Sequence, residues 1–170
     1  MPAKKIDKEE REQKKREAEA RALLEQQERI EELQRGIQTK EAYYMLQSEI
    51  AGLYDEMDKL AKKAPNEPVT NLQLKIVNSF IRKAKFLLTG DNIIDEVEIF
   101  VSAGDNPEYR DFVTVLRQIR QGLDRFKSNN RFIFNDAFRN ECQLNDLEFE
   151  DVNLDDFFLD KVNEIDGFTE

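Results

Sequence analysis

Any chemistry in this chain must run on carboxylates, lysines, tyrosines or hydroxyls, because its 170 residues include no histidine and one cysteine, Cys142. Without imidazole there is no Ser-His-Asp or Cys-His nucleophilic system and no histidine acid–base catalysis. The Glu-x-x-His ligand pairs of di-iron bundles are equally absent. One thiol without imidazole is no ligand set for zinc. The six glycines form neither a dinucleotide-binding GxGxxG nor a phosphate-cradling GxxxxGKS/T. Asp95 and Glu96 are a candidate carboxylate pair, but with 36 acids in the chain surface charge accounts for such a pair. We therefore expect no catalytic residue, no cofactor and no metal, and a carboxylate-dependent enzyme is the least favoured reading.

A second set of oxygens lies near the C-terminus. Asp151, Asn153 and Asp155 match the first three ligand positions of an EF-hand calcium loop. The sixth position holds Asp156 where the turn needs glycine, and the twelfth holds Val162 where a bidentate carboxylate is required. The match is read as chance in an acidic stretch.

The elements that would position such residues are legible from apolar spacing. Tyr43, Leu46, Ile50, Leu53, Met57 and Leu60 recur at alternating steps of three and four, as do Tyr109, Phe112, Leu116, Ile119, Leu123 and Phe126. Each set places one apolar seam on one side of a helix, the spacing that buries a stripe against another helix. From about Asp7 to Arg35 the chain is rich in good helix formers. Leu23, Ile30 and Ile37, with Leu33 between the last two, give only a thin seam there, too little to stabilise a helix alone. Gly36 interrupts the pattern, so the expectation is one long or kinked helix reaching Lys63.

Lys62–Pro68 (KKAPNEP) is the clearest break. A helix then opens near Thr70 or Asn71, either of which can cap it. Its expected buried face is Leu72, Ile76, Phe80, Ala84 and Leu87, widened by Val77, Ile81 and Leu88, with Gly90 as the stop. A short helix is expected over Ile93–Val101. Asp105 or Asn106 as cap, with Pro107 at the first helical position, launches the helix that carries Tyr109–Phe126; it should end near Lys127 or Ser128.

A net charge of −10 disfavours direct binding to nucleic-acid phosphates. A lone cysteine excludes an intramolecular disulfide and fits a reducing compartment. The polar N-terminus has no secretory signal pattern, and no apolar run reaches the ~18 residues needed to span a bilayer. The expected location is the cytoplasm, as a soluble protein without membrane contact.

Seven of the twelve phenylalanines (Phe132, Phe134, Phe138, Phe149, Phe157, Phe158 and Phe168) follow Lys127. A purely solvating tail carries few aromatics, so these should be buried somewhere. Phe132, Phe134 and Phe138 are expected to fold back onto the bundle. Farther on, Leu154, Phe157 and Phe158 fall within one helical turn and Val162 continues the face, a short apolar face among acids that suits docking on a partner; packing within the molecule is the alternative. The spacing Leu154-x-x-Phe157-Phe158, over Asp151 to Phe158, resembles the peptide box that binds ring-shaped sliding clamps of the PCNA type. The family has glutamine where this chain has Asp151. In that family the leucine and the two aromatics plug an apolar pocket, so the resemblance implies a tie to nucleic-acid machinery.

The expected architecture is all-α: a helical bundle with a long, coiled-coil-like N-terminal helix and an acidic, aromatic-rich tail. The expected organisation is a charged helical extension over 1–38, a bundle core over 39–127 and the tail over 128–170. The leading expectation is a non-catalytic interaction protein, an assembly, adaptor or scaffold subunit that binds protein partners and self-associates. The alternative is a regulator of nucleic-acid machinery, through the clamp-like box or as an acidic mimic of DNA.

Overall fold

The computed structural model describes residues 3–97, 107–145 and 147, with side chains from Glu10 onward. These residues form five helices: α1 (Ala3–Lys63), α2 (Asn71–Leu87), α3 (Asn92–Asp95), α4 (Tyr109–Asn129) and α5 (Asp136–Leu144). No strand occurs among them, so the fold class is all-α.

The first helix is continuous for 61 residues, about 90 Å at the usual rise. It does not break at Gly36. A side-chain carbon there would come within 2.6 Å of the Phe138 ring of α5, so the glycine is the notch that lets a ring lie on the helix backbone. Lys62 and Lys63 occupy the last turn, where cations complement the carbonyl end of the dipole, and Pro65 and Pro68 prevent continuation.

The second half of α1 packs against α2 and α4. Tyr43 stacks on Phe126 with ring centres 6.2 Å apart, while Arg120 lies 4.8 Å over the Tyr54 ring; residue numbers rise on one helix as they fall on the other, so α1 and α4 are antiparallel. Thr70 caps α2 in a reciprocal box: its hydroxyl accepts the Gln73 N–H at 3.3 Å, and its own N–H donates to Gln73 Oε1 at 3.0 Å. This box satisfies two of the donors a helix start leaves free. After α2 the chain reverses through Gly90 at φ +89°, a conformation that favours glycine.

The structure bears out Val77, Ile81, Ala84, Leu87 and Leu88 on the buried face of α2 and corrects its first turns. Leu74, Val77, Ile81, Ala84 and Leu88 are buried, whereas Leu72 is 68% exposed and Ile76 is 38% exposed. Both sets have helical spacing, so periodicity alone did not choose between them. The start of α4 is also corrected. Pro107 precedes the cap, which is Glu108, with its N–H donating to Asp111 Oδ2 at 2.9 Å. Val69 donates to the Pro107 carbonyl and Tyr109 to the Glu67 carbonyl. That pairing keeps Glu108 extended and delays the helix to Tyr109. Asp105 and Asn106 lie outside the described residues. Over the expected Ile93–Val101 helix, the described part forms one turn, Asn92–Asp95, with Ile94 and Val97 buried.

Candidate docking surfaces

The two seams meet in the core. Tyr43, Leu46, Ile50 and Met57 of α1 face Phe112, Leu116, Ile119 and Leu123 of α4, all almost completely buried, with Tyr109 nearly so. Leu53, Leu60 and Phe126 are half-buried at the margins of the same cluster. These side chains hold helices together and present no reactive group to solvent. The Tyr43 hydroxyl is buried without a hydrogen-bond partner among the described residues. Burial, then the charge of Asp124, raises the pKa of that phenol.

An aromatic cluster closes one end of this core. Tyr43 and Tyr44 meet the edge of Phe134 at 4.8 and 5.9 Å between ring centres. The Lys127 ammonium lies 5.8 to 6.0 Å from the centres of Tyr43, Tyr44 and Phe134, within range of attraction to ring faces. Phe134 thus returns to the bundle from beyond the last core helix.

Helix α5 follows, capped by the Asn135 side chain, which accepts the Phe138 N–H at 2.9 Å. It lies on the projecting side of α1. Phe138 and Cys142 pack fully buried with Leu33 and Ile37, and Ile133 and Leu147 flank them. Arg29 donates to Glu141 at 2.7 Å and to Glu32 at 2.6 Å, tethering the end of α5. Phe132 stays 45% exposed, with its ring at the edge of Phe138 and Arg29 above it. Burial raises the pKa of the Cys142 thiol, as does the neighbouring Glu141, so this sulfur is a packing element rather than an activated nucleophile.

Two of the clefts lined by described residues border this framework. One, about 530 Å³, lies where α2, α3 and α4 meet, beside Asp91 and Arg125. Arg125 grips Asp91 with two hydrogen bonds of 2.8 and 2.9 Å, and the same carboxylate accepts the Ile93 and Ile94 N–H groups to cap α3. The guanidinium first, then those backbone donors, hold the Asp91 carboxyl below the usual carboxylate range. Every charge here has a structural partner. The other cleft, about 410 Å³, is a groove between α1 and α4 lined by Tyr44, Gln47, Ser48, Ala51, Arg120, Leu123 and Asp124.

Of the candidate carboxylates, Asp95 and Glu96 are exposed at the end of α3. The docking residues Leu154, Phe157, Phe158 and Val162, and the calcium-like set Asp151, Asn153 and Asp155, lie outside the described residues. No group of three or more His, Cys, Asp or Glu among the described residues is placed to hold a metal ion. No described helix is long and apolar enough to cross a membrane.

Sequence reasoning missed the Asp91–Arg125 pair, the Arg29–Glu141 tether and the Gly36 notch, because each joins residues distant in the chain. A signal for α5 was present: Asn135 as a cap, then Phe138 and Cys142 one turn apart. No protein-family model, curated protein or solved structure matches this chain.

Proposed function

We propose that this protein is a non-catalytic interaction protein, an assembly or adaptor subunit whose helical framework carries surfaces for other proteins. The observation that carries this reading is the first half of α1. It remains helical well beyond the bundle, no residue from Glu10 to Glu28 is buried, and Leu23 and Leu24 are 62% and 56% exposed. Isolated helical segments gain most of their stability from packing, so a projecting helix with an exposed leucine pair fits association with another chain, a second copy included. A continuation of the core has no need of it. The acidic segment with Leu154, Phe157, Phe158 and Val162 is the second proposed contact, and a soluble cytoplasmic setting accords with both.

The test is co-purification from a native extract with the intact chain, with Leu23→Glu/Leu24→Glu and with Phe157→Ala/Phe158→Ala. Loss of the same bound protein in either variant, at an unchanged melting temperature, supports the reading. An unchanged set of bound proteins, and an unchanged molar mass in solution, would refute it. A regulator of nucleic-acid machinery remains the second reading, favoured by one fact. Ten of the 36 acids but one of the 26 bases follow Asn145, so that segment carries most of the net charge. An acidic mimic of this kind competes with DNA for a DNA-binding protein, and the competition weakens steeply with salt.

A further inference from the structure

We propose that the groove between α1 and α4 is the seat of this chain's own acidic segment, residues 148–162. It stands whether or not an outside protein also takes those residues.

The groove continues a surface that the chain already covers once. On α1, Leu33, Gly36, Ile37 and Lys40 lie under α5. Seven residues bring a helix back to nearly the same face. Steps of seven from Ile37 reach Tyr44 and Ala51, and a step from Lys40 reaches Gln47. Those three residues line the groove. The face that α5 buries farther up α1 is therefore the face left open here, with α4 as its second wall. Ser48 and Ala51 give it a shallow floor, and Tyr44 and Tyr54 provide rings at either end.

The chain leaves the described structure at the right place. Leu147 packs against the Leu33, Ile37, Phe138 and Cys142 cluster. Along α1 from Leu33 to Ser48 is about 22 Å at the helical rise. Residues 148–157 can span about 33 Å when extended, enough to pass around α5 and for Phe157 and Phe158 to reach the level of Ser48 and Ala51. Leu72, Ile76 and Phe80 form a more apolar strip on α2, but they lie toward the other flank of α1, where Lys83 reaches Glu49 at 3.6 Å. A segment starting at Leu147 would have to cross α1 to reach them.

Charge selects the same occupant. Arg110, Arg117 and Arg120 stand along the groove side of α4. Arg110 pairs with Glu108 at 2.7 Å, Arg120 covers Tyr54, and Arg117 is exposed. Against these stand Asp124 in the lining and Asp55, exposed one turn beyond Ala51; Asp58 farther along is paired with Lys62 at 2.6 Å. Residues 148–162 carry six acids and one base interleaved with Phe149, Leu154, Phe157 and Phe158. That pattern sets carboxylates against the arginines and apolar side chains against the tyrosines and Ala51.

The test uses the full-length chain with one cysteine in the groove, Ala51→Cys, and one in the tail, Leu159→Cys, leaving Leu154, Phe157 and Phe158 intact. Cys142 is fully buried and serves as the unreactive reference. The comparison pair is Ser79→Cys with Leu159→Cys, since Ser79 is exposed on α2. After mild oxidation at micromolar protein, the expected result is a disulfide within one chain. Its yield for the Ala51 pair should be about tenfold above that of the Ser79 pair, as a raised local concentration dictates. Adding Arg117→Glu/Arg120→Glu should remove most of that excess at an unchanged melting temperature. Equal yields in the two pairs would overturn the proposal. So would a disulfide found only between two chains, which would give the groove to another molecule.

Discussion

The two halves of α1 share one helix, one backbone geometry and much the same helix-forming composition, yet their surroundings are opposite. Between Tyr43 and Met57 the helix buries Tyr43, Leu46, Ile50 and Met57 under α2 and α4; between Glu10 and Glu28 it buries nothing. Both halves are helical, but only one half is held by tertiary contacts within the chain. The difference separates what makes a helix from what makes a core. The α5 region, at Leu33 to Lys40, is where one regime passes into the other.

Substitutions can break or sharpen that contrast. The largest effect is expected from Leu46→Ala, which empties a fully buried site. It should lower unfolding stability by about 3 kcal/mol in urea or thermal melts; a loss below ~1 kcal/mol would mean that the α1–α4 seam is not the core. Next, Asp91→Ala removes both the α3 cap and the grip of Arg125 that fixes α4 over the bundle half. The expected loss near neutral pH is about 2 kcal/mol. Because the folded carboxyl titrates below its unfolded value, its contribution is complete above the unfolded pKa and fades as pH falls through the folded one. The gap between wild type and Asp91→Ala should therefore narrow below about pH 4.

At the boundary, Gly36→Ala gains helix propensity but drives a methyl group into the buried Phe138 ring. A net loss of about 1–2 kcal/mol is expected, with greater exposure of Cys142 to thiol reagents. Gly52→Ala is the control on the same helix. Nothing lies within 4 Å of the added carbon, so propensity alone should raise stability by about 0.5–1 kcal/mol. The smallest effect belongs to Leu24→Ala in the projecting half, under ~0.5 kcal/mol for the isolated chain. If its melting point falls in a protein-concentration-dependent way, the exposed leucines are an interface between copies.

Much of the fold was legible because it depends on short-range regularity. The seams at Tyr43–Leu60 and Tyr109–Phe126, the break at Ala64–Pro68 and the Thr70 cap all follow from spacing and local chemistry. The centre of the buried face of α2 was not legible, since stripes through Leu72–Ile76–Phe80 and through Leu74–Val77–Ile81 both satisfy helical period and only the direction of α1 and α4 chooses between them. Val77, Ile81, Ala84, Leu87 and Leu88 were nevertheless on the expected face. The helix start after Pro107 was mistaken for the same kind of reason: a backbone pairing with Glu67 and Val69, nearly forty residues upstream, holds Glu108 extended.

By itself, then, the sequence determined the helical class, the main seams, the lack of histidine beside a single cysteine, and the concentration of acid after Asn145. Each depends on residue type and on spacing within one or two turns. Only the tertiary structure decided that α1 runs unbroken through Gly36, that α5 turns back to cover Leu33 and Ile37, and that a groove stays open beside Tyr44 and Ala51. Those features are set by contacts between residues tens of positions to about a hundred positions apart. No local preference encodes such contacts; they exist only once the apolar faces have chosen their neighbours.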